Sequence, residues 1–111
     1  MFFHHYTHID ELRKELEENF LKWGVADLQE FMSGRFHPLL EAFREFTSET
    51  DPIRQKLEDA YMRHLKGALA QLNAGAKKEN VYNTIVLWAI RDLREAHDAC
   101  HKLAKFFHKV E

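Results

Sequence analysis

Apolar residues recur at steps of three and four along most of this chain, the period of helices that each bury one stripe. Ile9, Leu12, Leu16 and Phe20 predict a first helix over about 8–23. Thr7 to Asp10 has the spacing of a capping box with Asp in place of Glu, and Gly24 supplies a stop. Leu28, Met32, Phe36, Leu39, Phe43 and Phe46 predict a second helix over 26–46. Pro38 lacks an N–H, so a kink is expected between Gly34 and His37, with the stripe in phase across it. Asp51 as N-cap and Pro52 at the first helical position open a third helix, 52–73. Its apolar face is Ile53, Leu57, Tyr61, Leu65, Ala68, Leu69 and Leu72, and Asn73-Ala74-Gly75 closes it. A fourth helix begins near Glu79 or Asn80 and reaches His108. Tyr82, Val86, Ala89, Leu93, Ala96, Cys100, Leu103, Phe107 and Val110 run along it as a heptad seam. No strand pattern competes.

Four amphipathic helices with short connections predict an all-α four-helix bundle in one domain, 1–111, with up-down-up-down order and a long C-terminal helix. Between Val81 and Ile90 only Asn83 and Thr84 are polar, and a helix so apolar must be covered on more than one side. Three neighbouring helices would do this, and so would a second subunit across a two-fold interface. Leu87, Trp88 and Ile90 lie off the seam and still need cover. Self-association, or a protein partner, is therefore expected at Tyr82, Val86, Leu87, Trp88 and Ile90.

Composition narrows the function classes. The 111 residues carry a formal net charge of −2 with acids and bases interleaved, which argues against nucleic acid or an anionic membrane as the main partner. One Cys makes no internal disulfide, so a reducing compartment is expected. No apolar run has the length of a signal peptide or a membrane span. Together these predict a cytoplasmic protein.

The candidate chemistry lies in eight histidines. His4 and His8, His97 and His101, and His37 and Glu41 stand four apart, so each pair shares a helix face and offers two ligands for zinc, iron or haem. The registers thin this set. His97 flanks the seam, and His101 and His108 lie further out beside Arg94 and Lys105. Cys100 points inward as a small hydrophobe. Glu41 has Arg35 and Arg44 within pairing distance along the helix. His4 and His5 precede the first helix. His64 differs, because it falls inside the edge of the apolar face and must find a hydrogen-bond partner there. The metal-ligand candidates are His64, His37, His97, His101 and Glu41.

Three families resemble parts of the chain. Histidines and carboxylates spread over four helices resemble hemerythrin-like bundles, which would imply a di-iron centre. Here the third helix has His64 alone where that family has a pair, and the fourth lacks the family's widely spaced histidine–carboxylate pair. Residues 65–74, LKGALAQLNA, resemble histidine phosphotransfer domains, which would imply a phosphorylated histidine. His64 and Lys66, two apart, face different sides of a helix. Arg91-Asp92 followed by His97 resembles the Arg-to-His motif of HEPN ribonucleases. That would imply RNA cleavage, with Arg91 on phosphate and His97 as acid or base. There is no nucleophile elbow, phosphate-binding glycine loop or paired-cysteine zinc motif. The sequence therefore favours a non-enzymatic interaction module, then a metal- or haem-binding sensor or store, then a HEPN-like ribonuclease.

Overall fold

The computed structural model describes the backbone of residues 6–110 and the side chains of 7–103 and Lys105. The protein is all-α, with four helices and no strand among the described residues. Helix α1 runs over Tyr6–Asn19 and tightens into a 3₁₀ turn, Phe20–Lys22. Helix α2 (25–46) joins Val25–Phe31, a π-helical turn Met32–Phe36, and His37–Phe46. Helix α3 (52–73) joins Pro52–Glu58, a π stretch Asp59–Leu65, and Lys66–Asn73. Helix α4 (78–110) joins Lys78–Val81, a π turn Tyr82–Val86, and Leu87–Val110.

The helix ends follow local chemistry. The Asp51 carboxylate accepts from the N–H groups of Ile53 and Arg54 at 2.9 and 3.0 Å, capping α3 as expected. At the other end Gly75 has φ +93°, the left-handed region that glycine enters without a Cβ penalty. Ala76 N–H then reaches Gln71 O and Gly75 N–H reaches Leu72 O, each at 3.0 Å, the Schellman pattern. Two terminal expectations are corrected. Gly24 is extended rather than left-handed and serves as N-cap of α2, its N–H donating to Asp27 Oδ2 at 2.9 Å. Thr7, expected as the cap of α1, lies inside the helix, which already includes Tyr6, and Asp10 accepts from Nε and Nη2 of Arg13.

The break foreseen near Pro38 is a π turn rather than a simple kink. His37 N–H bonds back five residues to Met32 O, and the wider turn absorbs the donor that Pro38 lacks. Each π turn adds one residue between core positions. Phe31 and Phe36, Ala60 and Leu65, and Val81 and Val86 are all buried, each pair five residues apart. The stripes therefore shift from the sequence reading. Phe31, Leu40, Ala60 and Val81 join the core, while Phe46 and Leu103 are exposed. The side chains of Phe107, His108 and Val110, and residues His4 and His5, lie outside the described residues.

Ion pairs stitch the helices in a ring. Arg35 joins Glu15 across α1 and α2 at 2.8 Å, and Arg44 joins Glu58 across α2 and α3 at 2.6 Å. Lys56 joins Glu95 across α3 and α4 at 2.9 Å, and Arg94 joins Glu17 across α4 and α1 at 3.2 Å. A second α3–α4 link, His64 to Asp92, rises along α3 as its partner falls along α4, as in antiparallel neighbours. Helix α4 is the longest, and its 33 residues at about 1.5 Å each span about 50 Å. The molecule measures 52 × 23 × 20 Å.

Candidate functional site

The histidines singled out by spacing go to separate places. His64 sits on α3 facing α4, with Nε2 3.4 Å from Asp92 Oδ2 and both side chains mostly buried. The partner its position demanded is thus a carboxylate on the neighbouring helix. Burial raises the Asp92 carboxyl above the usual carboxylate range, against the pull of His64 and Lys56, with Asp59 and Glu95 adding to the rise. Arg63 on the same turn is exposed.

His37, at the start of the second α-helical part of α2, lies 3.4 Å from Glu41 and has its ring 5.8 Å from the Tyr61 ring on α3. Glu41 is also held by Arg44 at 2.7 Å, the pairing expected for a helical glutamate. His97 and His101 stack, rings 6.0 Å apart and 11° from parallel, and His97 Nδ1 lies 3.3 Å from Asp98. Cys100 is fully buried, and burial pushes its thiol up to about 12. His8 pairs with Glu11 at 3.5 Å.

Among the described residues, no three His, Cys, Asp or Glu side chains gather closely enough to hold a metal ion. His64, His37, His97, His101 and Glu41 therefore do not form one ligand set. His64 and Lys66 part company as well: His64 meets Asp92 on α4, while the Lys66 ammonium lies over the Tyr61 ring at 5.8 Å. Arg91 stacks on Trp88 at 5.3 Å and reaches Glu95, whereas His97 turns to Asp98 and His101. These contacts draw the two side chains to different neighbours.

The residues expected at an interface divide in two. Val86 and Ile90 are core positions of the single chain, and Tyr82 is half-buried, its ring 5.9 Å from Phe20. Leu87 and Trp88 point outward, 43% and 50% exposed. The π turn at Tyr82–Val86 causes the division, because it carries Val81 and Val86 onto one side and rotates Leu87 and Trp88 off it.

Surface grooves among the described residues include the following three. The first, about 350 Å³ between α1 and α2, is lined by His8, Glu11, Leu12, Glu15, Arg35, Pro38, Leu39 and Ala42. The second, about 450 Å³, is polar and lined by Glu49, Arg54, Gln55, Glu58 and Asp59. The third, about 470 Å³, lies between α2 and α3 beside their π turns and is lined by Gln29, Met32, Ser33, Tyr61, Lys66, Leu69, Ala70 and Asn73. Periodicity missed this last group, whose only sequence signal is small residues, Ser33 and Ala70, on facing flanks.

Fold and surface together define a small all-α four-helix bundle whose longest helix exposes apolar side chains, Leu87 and Trp88 among them. The chain matches no family model, no curated protein and no solved structure. Among the described residues no helix is long and apolar enough to cross a membrane.

Proposed function

We propose that this protein is a non-enzymatic interaction module that self-associates through α4. The observation that carries this reading is the pair Leu87 and Trp88, adjacent and half-exposed on the outer face of the longest helix. The bundle covers the inner face of that stretch with Val86, Ala89 and Ile90, and leaves the outer one bare. Tryptophan with a neighbouring arginine is the composition of interface hot spots, and Arg91 already stacks on the Trp88 ring. Farther along, the exposed face carries both signs, with Arg91, Arg94 and Lys102 among Glu95 and Asp98. A second copy laid antiparallel meets opposite charges along this face as readily as like ones, so the surface does not repel itself.

Sedimentation velocity over a concentration series tests the reading. A reversible dimer is expected, weakened by about tenfold or more in Trp88→Ser, the loss typical of a central aromatic anchor. A strict monomer at high concentration, or a dimer indifferent to both Trp88→Ser and Leu87→Ser, removes the reading.

A further inference from the structure

We propose that the groove between α2 and α3 is a binding site for a small amphiphilic monocarboxylic acid. The carboxylate lies on Lys66 Nζ and the aliphatic chain runs along Met32, Leu69 and Ala70. The groove holds about 470 Å³, within the size range of small-molecule sites. Met32 and Tyr61 are buried and form its floor, Leu69 is half-buried, and Ala70 leaves the wall open. An apolar floor of this kind takes a hydrocarbon chain by removing it from water.

Charge selects the head group. Lys66 is the one ionised side chain lining the groove, and no carboxylate lines it. Its ammonium lies over the face of the Tyr61 ring, 5.8 Å away, and it enters no ion pair among the described residues. The cation is thus placed at the edge of an apolar trough without an acid to neutralise it. The other two grooves lack this combination. In the α1–α2 groove Arg35 is already held by Glu15, and in the groove near Glu49 Arg54 is held by Glu58. Tyr61 adds a ring that holds the ammonium in place.

Both π turns matter to the site. Met32 begins one, Met32–Phe36, and Tyr61 belongs to the other, Asp59–Leu65. These wider turns bring Met32 and Tyr61 to the floor while Ser33 and Ala70 stay at the rim.

Calorimetric titration of the whole chain with decanoate, decanol, decyltrimethylammonium and acetate, all below micelle formation, tests the proposal. Saturable one-site binding of decanoate is expected, with the other three weaker by about tenfold or more. Lys66→Gln should weaken decanoate by about tenfold, and Ala70→Trp should abolish binding by filling the trough. Both positions are exposed, so helical circular dichroism should survive each change; if Ala70→Trp fails to fold, Lys66→Gln decides. No saturable decanoate binding, decanol binding as well as decanoate, or affinity unchanged in Lys66→Gln overturns the site. Decanoate binding unchanged in a folded Ala70→Trp overturns it too. None of these outcomes bears on self-association, which is read from Trp88.

Discussion

Val81 and Val86 stand five residues apart on α4 and are both buried in the same core. In a regular α-helix residues five apart diverge, so the π turn Tyr82–Val86 is what lets both reach it. Thr84 lies exposed within that turn, its hydroxyl donating to Asn80 O at 2.6 Å. Deleting Thr84 shortens the step from five to four and leaves an ordinary helix with its stripe intact. Urea unfolding should show a folded protein, destabilised by no more than about 2 kcal/mol. Deleting the exposed Arg94 instead rotates Ala96 and Cys100 out of the core, and the loss should be clearly larger.

Glu58 accepts from Arg44 on α2 and from Arg54 on its own helix. The Arg44 hydrogen bond, against the opposing effect of burial and with help from Arg54, holds its carboxyl below the usual glutamate value of 4.5. A lowered folded-state value means stability that is fully present above the unfolded-state value of 4.5 and is lost as the pH falls through the lower folded-state one. Glu58→Gln should cost about 1–2 kcal/mol at neutral pH. Thermal melts between neutral and acid pH should show the gap to wild type closing on the acid side.

Cys100 is fully buried and its thiol is pushed up to about 12 by burial. The folded chain should react with iodoacetamide only at the rate at which it opens, with mass spectrometry as the readout. The sign for stability is opposite to that of Glu58. A raised thiol value adds stability below the ordinary thiol value of 9.0 that is lost as the pH rises toward about 12. Cys100→Ser, which buries a hydroxyl in the same place, should cost about 1–3 kcal/mol.

Gly75 closes α3 from the left-handed region, and a Cβ there would meet no atom within 4 Å. Space is therefore not the constraint, and Gly75→Ala should cost about 1–2 kcal/mol through backbone strain alone. Equilibrium denaturation checks this, and the slope with denaturant should stay unchanged.

The helices were legible because Asp51-Pro52 and Asn73-Ala74-Gly75 act locally, through one cap and one left-handed residue. The α4 seam from Val86 to Cys100 was legible for the same reason that it packs, its step of four and three. The π turns were not, although the spacing of Phe31 and Phe36 carries their signature. A five-residue step reads as noise until both ends are known to be buried. Val86 and Ile90, expected at an interface because the stretch from Val81 to Ile90 is apolar nearly all round, are instead covered by the chain's own helices. Long-range partners were also hidden. Nothing near His64 in sequence points to Asp92, because their contact depends on how α3 and α4 pack. The groove at Lys66 was invisible likewise, since its walls come from two helices.

The ring of ion pairs also bears on which way the bundle turns. The same four apolar stripes could be buried with the helices following one another clockwise or anticlockwise, so the core alone leaves the mirror arrangement open. In the reversed turn each helix exchanges its two flanks. The α1 edge carrying Glu15 would then face the α4 edge carrying Asp92 and Glu95, acid against acid. The α2 edge carrying Arg35 would face Lys56 on α3, base against base. The other two contacts, Glu17 with Arg44 and Glu58 with Arg94, would stay acid against base, so the native turn has four attractive contacts where the reversed one has two, a modest bias toward one hand.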